Sequence, residues 1–409
     1  MKKYLFHLVI FLPIVMMCSC RQNVQENENW QWRGENRNGM YNETGLLKVW
    51  PDNGPQLLWH FDGLGEGHTS VAIANGKIYA TGMHDDVLML YIFDLTGKLL
   101  TEKEIGKEWN ENWNGTRSSV SINDGKLYIF NALGNLFCLD ETTLSVIWTK
   151  DLLNDLDGVN LTFGMTENPL IVDEKIFMHP GGEVHNMVAL NKNTGELLWS
   201  SPGEGTPSAY GSPQYIGGYS VPIVVTNSHE HILAVNADTG EKLWSYPQKT
   251  QFSVHANTPL YSNGMILSST GGGGGSVMIR LIDGGRSVEQ VWKNDELDNQ
   301  MGGAIKLGDY IYASGQNNRY WFCVDWQTGE TKYKVSELAP CNVIYADGML
   351  YCYSERGTMS LVKPNPESFE LVSSFEVTMG TDQHWAHPVI YEGVLYIRHG
   401  DTLMAYKVK

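Results

Sequence analysis

Two short phrases recur along the chain and alternate with one another. One phrase places Asp or Asn before Thr-Gly and ends in a large apolar residue, as in residues 190–199 (LNKNTGELLW) and 235–244 (VNADTGEKLW). The other phrase is a turn between alternating apolar residues, as in 123–129 (NDGKLYI) and 346–352 (ADGMLYC). Each phrase predicts a tight turn that joins two short antiparallel strands.

The spacing of these phrases predicts the architecture. Eight copies of the second phrase lie between residues 74 and 397, at intervals of about 45 residues. Four short strands in each interval are typical of a β-propeller blade, in which strand a lines the central channel and strand d is outermost. The second phrase is then the a–b hairpin and the first is the c–d turn. We therefore predict an all-β fold, an eight-bladed β-propeller of four-stranded antiparallel blades.

The eighth repeat ends before its fourth strand. Residues 56–62 (QLLWHFD) precede the first repeat and have the pattern of the missing strand d. We predict that this N-terminal strand, around Trp59, completes the last blade, because a closed ring has no long free sheet edge. Residues 30–409 are then a single domain. Arg33 and Arg37, in the motif WQWRGENRNG at 30–39, are expected to brace the closing blade.

The phrase VNADTGEKLW is similar to the repeat of the pyrroloquinoline-quinone-type propeller family. That resemblance covers most of the chain and implies the fold, whereas its members differ in activity. Quinone-dependent alcohol dehydrogenases of this kind use an adjacent Cys–Cys disulfide and a calcium ion, and this chain has no adjacent cysteines. The resemblance therefore leaves pyrroloquinoline quinone with calcium disfavoured as a cofactor. The layout also resembles the non-catalytic, lipid-anchored propeller of the machinery that assembles outer-membrane β-barrels.

The first residues resemble a bacterial lipoprotein signal. Lys2 and Lys3 precede an apolar stretch of about 14 residues, which is too short for an ordinary transmembrane helix. We predict a signal peptide at 1–19, lipidation of Cys20 and a polar tether at 20–29. The protein is then anchored in the bacterial cell envelope, at the outer membrane or on its periplasmic side.

Charge and cysteine content limit the partners. The 46 acidic residues exceed the 29 Lys and Arg residues, so the formal net charge of −17 disfavours nucleic acid and any membrane contact except through the lipid anchor. Cys341 and Cys352 flank one predicted hairpin in diagonal positions, and whether they form a disulfide is left open. We expect a monomer.

Most histidines fall on one face of the predicted ring. Connections alternate between faces, so the b–c and d–a loops share one face, here called the top face, and the two repeated turns share the bottom face. Outside the signal peptide and the closing strand, every histidine lies in a top-face segment. Aligned strands a also predict a mostly polar collar at the top of the channel: Ser70, Ser119, Asn168, Ser212, Thr258, Gly302, Asn342 and His387.

The binding candidates come from this face. They are His68, Arg117, Tyr210, His255, Gln300, His384, Trp385 and His387. Histidine suits acid–base chemistry, arginine holds carboxylate or phosphate, and tryptophan stacks on a sugar or a flat ring. The alternative is a collar that only hydrates the channel and ends the strands. His229 and His231 have a spacing compatible with a metal ion, although no third ligand is evident.

These features favour a binding or scaffolding module, with either a small acidic or sugar-like ligand or an envelope protein as its partner. The alternative is an enzyme with its site at the channel mouth, either a quinone-dependent dehydrogenase or a carbohydrate-active enzyme. No catalytic residue is assigned. Replacing Arg117 or His387 with alanine is expected to weaken ligand binding with little effect on folding.

Overall fold

The computed structural model describes Met1 and residues 30–250, 252–338 and 340–409. The predicted signal peptide and tether, including Cys20, fall outside these residues apart from Met1. Eight antiparallel sheets form the ring, and one of them carries a fifth strand. The prediction of an all-β, eight-bladed propeller is confirmed. A short 3-10 turn at Asp283–Gly285 is the helical element of the described residues.

The first four blades run from the channel outward in chain order. Blade 1 contains Ala72–Ala74, Lys77–His84, Val87–Asp94 and Leu99–Lys107. Blade 2 contains Ser121–Asn123, Lys126–Phe130, Asn135–Asp140 and Val146–Asp151. Blade 3 contains Leu170–Val172, Lys175–Met178, Met187–Asn191 and Leu197–Ser201. Blade 4 contains Gln214–Ile216, Ile223–Asn227, His231–Asn236 and Lys242–Pro247.

The last four blades follow the same order, except that blade 8 takes its outer strand from the N-terminal region. Blade 5 contains Leu260–Ser262, Met265–Thr270, Gly275–Ile282 and Ser287–Asn294. Blade 6 contains Ile305–Leu307, Tyr310–Ser314, Trp321–Asp325 and Thr331–Val335. Blade 7 contains Cys341–Ala346, Met349–Ser354, Thr358–Lys363 and Glu370–Glu376. Blade 8 contains Val389–Tyr391, Val394–His399, Thr402–Lys407 and Gln56–Phe61.

Ring closure occurs where the sequence predicts it. Gln56–Phe61 pairs antiparallel with Thr402–Lys407, and Trp59 lies opposite Ala405. The Trp59 ring also lies 6.3 Å from that of Phe93 in blade 1, measured between centroids. Because the first and last parts of the chain share one blade, the ring closes without a free edge at this blade.

The repeated Thr-Gly turn packs between blades. Its glycine lies against the tryptophan of the preceding blade, where a Cβ atom would collide with the indole. This contact occurs for Gly97 on Trp59, Gly195 on Trp148, Gly240 on Trp199 and Gly329 on Trp292. For Trp148, Trp199 and Trp292 the indole N–H then donates to a carbonyl of the next blade, as from Trp148 to Lys192 at 3.1 Å. The turn and the tryptophan therefore recur together because each turn contacts the tryptophan of the preceding blade.

Residues 30–41, here called the plug, enter the central channel. Met40–Tyr41 pairs parallel with the inner strand of blade 7. Arg37 donates to the carbonyl oxygens of Asn168 and Pro169 in blade 3, at 2.7 and 2.8 Å. Arg33 and Arg37 are each only 3% exposed. The expectation that both arginines brace the closing blade is therefore wrong for Arg37, which contacts blade 3.

The predicted diagonal arrangement of two cysteines is present. Cys341 lies opposite Ser354 and Cys352 lies opposite Val343, and both are free, buried thiols. In the part of the chain that the structure describes, no helix combines the length and hydrophobicity that crossing a bilayer requires.

Candidate functional site

The collar residues form hydrogen bonds from blade to blade. The backbone N–H of Ser70 donates to Ser119 Oγ at 3.1 Å, and that of Ser119 donates to Asn168 Oδ1 at 2.7 Å. The N–H of Asn168 donates to Ser212 Oγ at 2.9 Å, and Ser70 Oγ–H donates to the carbonyl of His387 at 2.9 Å. Over half of the ring, the small polar side chains therefore join neighbouring blades, because the strand ends leave backbone groups that need partners.

His387 connects the collar to the plug. Arg33 donates to its Nδ1 at 3.0 Å, and its Nε2 lies 3.3 Å from the carbonyl oxygen of Met301. Burial, with the charge of Arg33 as a second cause, holds the pKa of His387 well below its ordinary value. The ring is therefore neutral, with its proton on Nε2, and holds the plug against blades 6 and 8. An alanine here would loosen the plug, contrary to the expectation of little effect on folding.

Arg117 holds two top-face loops. Its guanidinium donates to the carbonyl oxygens of Phe163 and Asn112, at 2.8 and 2.9 Å, and to that of Trp113. Burial lowers its pKa to about 10, so the side chain is charged at neutral pH. The side chain positions the loop at 109–115, so its replacement would disturb that loop as well as any bound ligand.

An aromatic cluster lies beside this loop. The Trp385 ring is 5.0 Å from His68 and 5.2 Å from Trp113, measured between centroids. Neither ring nitrogen of His68 has a hydrogen-bond partner among the described residues. Burial, followed by the charge of Arg398, lowers the pKa of His68 to about 3. His68 is therefore neutral at physiological pH and packs as an aromatic ring beneath Trp385.

A depression of about 470 Å³ occupies the other side of the top face. Tyr210, Gln300 and His229 line it together with Phe252 and the loop at 159–163. Burial raises the pKa of Tyr210, so its hydroxyl is protonated at neutral pH. The structure thus brings together two predicted candidates here, Tyr210 and Gln300, and separates them from the His68–Trp385 pair.

Two further histidine candidates, His255 and His384, pack against other parts of the protein. His255 is fully buried, and burial lowers its pKa to about 4. Tyr353 OH lies 2.6 Å from Nδ1 of His384, whose ring stacks on His399 at 3.6 Å between centroids. Burial, followed by the charge of His399, lowers the pKa of His384 to about 4. His255 and His384 are therefore neutral at physiological pH.

His229 and His231 do not form part of a larger ligand group. Within residues 30–250, 252–338 and 340–409, no three His, Cys, Asp or Glu side chains cluster closely enough to hold a metal ion. His229 lies in the top-face depression, whereas His231 begins strand c of blade 4.

Several exposed apolar side chains complete the top face. Trp113 is 50% exposed and Phe252 is 65% exposed, and both lie in d–a loops. The motif WNENWNG at 109–115 already contains Trp113, but no local pattern shows that its ring would stand beside Trp385. Phe252 has no sequence signal beyond its position in a loop.

The repeat and the plugged ring can be compared with known proteins. The family model described as outer membrane protein assembly factor BamB matches residues 49–217 and 208–365. The chain belongs to this family. The resemblance to propellers of the pyrroloquinoline-quinone type is thereby confirmed. No curated protein sequence matches the chain significantly.

Solved structures of family members and of enzymes share the fold. BamB from Moraxella catarrhalis is 14% identical with a TM-score of 0.63, over 86% of this chain and 99% of that chain. A europium-containing methanol dehydrogenase is 13% identical with a TM-score of 0.63, over 92% and 91%. Quinohemoprotein alcohol dehydrogenase from Comamonas testosteroni is 12% identical with a TM-score of 0.64, over 93% and 80%. At these identities the similarity concerns the fold alone.

The cavity beside the plug of this BamB-family chain does not offer the carboxylates that a quinone with calcium requires. Its own Arg33 and Arg37 reach the collar from inside the channel. The remaining space in the channel has no Asp or Glu among its described lining residues, so it lacks the carboxylate oxygens that calcium prefers. We derive no catalytic step through such a cofactor.

Proposed function

We propose that this protein is a non-catalytic binding or scaffolding module of a bacterial cell envelope that docks an envelope protein on its top face. The family model is named for an outer-membrane protein assembly factor, which supports the compartment and the kind of role. Lipidation of Cys20, outside the described residues, would anchor the module in the envelope.

The distribution of exposed apolar side chains carries this proposal. Trp113, Phe252, Val159 and Val184 are 50%, 65%, 39% and 60% exposed, and each lies in a top-face loop. They lie in loops from blade 1 to blade 5, beside a collar whose polar groups are hydrogen-bonded within the ring over blades 8 and 1–4. Exposed aromatic rings next to a rigid surface are typical of protein-docking sites, where a few such residues supply most of the affinity.

Site-specific photo-crosslinking in intact cells tests the docking face. A photoreactive residue at Trp113 or Phe252 should give a discrete adduct with one envelope protein. The same residue at Asn263 or Glu392, which are exposed on bottom-face turns, should not. Excess wild-type protein should compete for the adduct, and a Trp113→Ser/Phe252→Ser variant should compete about 30-fold less well, as for the loss of an aromatic anchor.

Two outcomes contradict the proposal. One is an adduct that forms equally from the bottom-face positions. The other is competition by the double variant that equals competition by the wild type.

A further inference from the structure

The plug fills the central channel unevenly. The inner strands of blades 1 and 8, Ala72–Ala74 and Val389–Tyr391, are entirely buried. In contrast, every residue of Leu260–Ser262 in blade 5, and two of the three in Gln214–Ile216 in blade 4, are partly exposed. A cavity of about 280 Å³ lies between these strands and the plug. It is separate from the top-face depression and shares no lining residue with it.

The charge of this cavity is positive in an acidic protein. Its lining includes Arg33 and Arg37 and, among described residues, no Asp or Glu. Both guanidinium groups donate to carbonyl oxygens, an amide oxygen and His387, and neither group forms an ion pair within the described part of the chain. A buried charge without a counterion is unfavourable, so an anion in the cavity would be stabilised.

Glu167 does not supply that counterion at neutral pH. Its carboxyl oxygens accept from the backbone N–H of His179, at 3.0 and 3.2 Å. Burial raises the pKa of Glu167 to about 8, although the charge of Arg37 opposes that rise. The carboxyl is therefore mostly protonated at neutral pH, whereas Arg37, with a pKa of about 9, remains charged.

Three buried polar atoms of lining residues have no hydrogen-bond partner among the described residues. They are Arg37 Nε, Thr258 Oγ1 and Asn299 Oδ1. Arg37 and Asn299 are 3% and 1% exposed, so bulk water does not readily satisfy these groups. Arg37 Nε donates, the Thr258 hydroxyl donates or accepts, and Asn299 Oδ1 only accepts. A ligand that satisfies all three carries both acceptor oxygens and a hydroxyl donor.

We propose that this cavity binds a hydroxylated organic acid of the sugar-acid class. Its carboxylate would accept from Arg37 and Thr258, and one of its hydroxyl groups would donate to Asn299. Trp32, Tyr215 and Tyr261 also line the cavity and present aromatic surface, on which a sugar ring packs. This ligand site goes beyond the docking role, lies in another part of the molecule and can fail independently of it.

Calorimetric titration of the folded chain tests the ligand, with D-glucuronate as the probe. D-glucuronamide is the matched neutral control, and inorganic phosphate tests for charge alone. Glucuronate should bind and raise the melting temperature, whereas glucuronamide should bind at least tenfold more weakly because it lacks the charge that offsets the arginines. Phosphate should bind more weakly than glucuronate because it offers no ring to the aromatic wall.

Two variants locate the site without removing an arginine. Thr258→Val preserves the shape and removes a hydroxyl that has no partner, so it should leave the melting temperature of the free protein unchanged and weaken glucuronate binding about tenfold. Ala304→Leu should fill the cavity and abolish binding, since Ala304 lines it and bonds Arg33 only through its backbone carbonyl.

The proposal is overturned by any of three results. The first is that glucuronate does not bind at about 10 mM, a concentration well above a millimolar Kd. The second is that glucuronamide or phosphate binds as tightly as glucuronate. The third is that Thr258→Val binds glucuronate with unchanged affinity. If Ala304→Leu does not fold, the isosteric Thr258→Val variant still decides the question.

Discussion

Single buried or partly buried residues in and around the channel have shifted pKa values. Glu167 has a raised pKa and His68, His255 and His384 have lowered ones, in each case with burial as the largest cause. Burial disfavours the charged form of either group. These side chains therefore stay neutral at physiological pH, and they act as packing and hydrogen-bonding groups more than as acids or bases.

The pH dependence of stability reports the state of Glu167. Its pKa is about 8 in the folded protein and 4.5 as the ordinary value, so its contribution to stability is complete below 4.5 and is lost as the pH rises toward 8. Glu167→Gln keeps an acceptor for His179 and cannot ionise. The free energy of unfolding of the variant should therefore exceed that of the wild type increasingly with pH, by up to about 1.4 kcal/mol per unit in this range.

Urea denaturation of both proteins at several pH values between about 5 and 8.5 measures this difference. Parallel stability curves for the variant and the wild type would show that Glu167 ionises normally in the folded chain.

At the scale of elements, the Thr-Gly turn both reverses the chain and packs against the preceding blade. Gly97 has a φ of +85°, which an L-residue adopts only with strain, and a Cβ there would lie 2.3 Å from Trp59. Gly76 in an a–b turn has a φ of +69°, but a Cβ there would meet nothing within 4 Å. A substitution at Gly76 therefore introduces backbone strain alone, whereas one at Gly97 introduces backbone strain and a clash with the neighbouring blade.

Replacing each glycine with alanine measures the packing contribution. Gly76→Ala should lower the free energy of unfolding by roughly 1–2 kcal/mol, the usual cost of a left-handed backbone for a non-glycine residue. Gly97→Ala should lower it by a further ~1–3 kcal/mol, because the Trp59 indole must shift. Equal losses in the two variants, measured by chemical denaturation, would refute a role of the turn in joining blades.

At the scale of the whole molecule, stability depends on one shared blade. Trp59 lies in the N-terminal strand and contacts Phe93 in blade 1 and Tyr396 in blade 8. It therefore packs across the interface between the first blade and the last, which the hydrogen bond from Ser70 to the carbonyl of His387 also spans. Loss of this contact should weaken the ring at blade 8, whose outer strand comes from the N-terminal part of the chain and whose other three strands come from the C-terminal part.

Trp59→Ala tests ring closure against a neighbouring control. It should lower the free energy of unfolding by roughly 3 kcal/mol, the lower end of the usual cost of truncating a large aromatic side chain, because Trp59 is partly buried against the core. Leu58→Ala, at a side chain that is 44% exposed in the same strand, should change it by only about 0.5 kcal/mol. Similar thermal and urea stability in the two variants would mean that the closing strand is dispensable.

The candidate site was predictable only in part. The residues of the collar and the pair His68 and Trp385 were found because the repeat aligns the inner strands of all blades. The contacts of the candidates could not be predicted. Arg117 donates to loop carbonyls and His387 accepts from Arg33. The repeat encodes neither the conformation of a loop nor the path of the plug.

The sequence by itself determined the eight blades, their order and the closure around Trp59, because each turn and each alternating strand is specified by a few adjacent residues. Only the tertiary structure decided what fills the channel. The plug is held by contacts between residues that are far apart in the sequence. Arg37 and Asn168 are separated by 131 positions, and Arg33 and Val343 by 310. Local patterns carry no record of such pairings, so the cavity beside the plug, its two arginines and its unpaired polar atoms emerge only when the ring is closed.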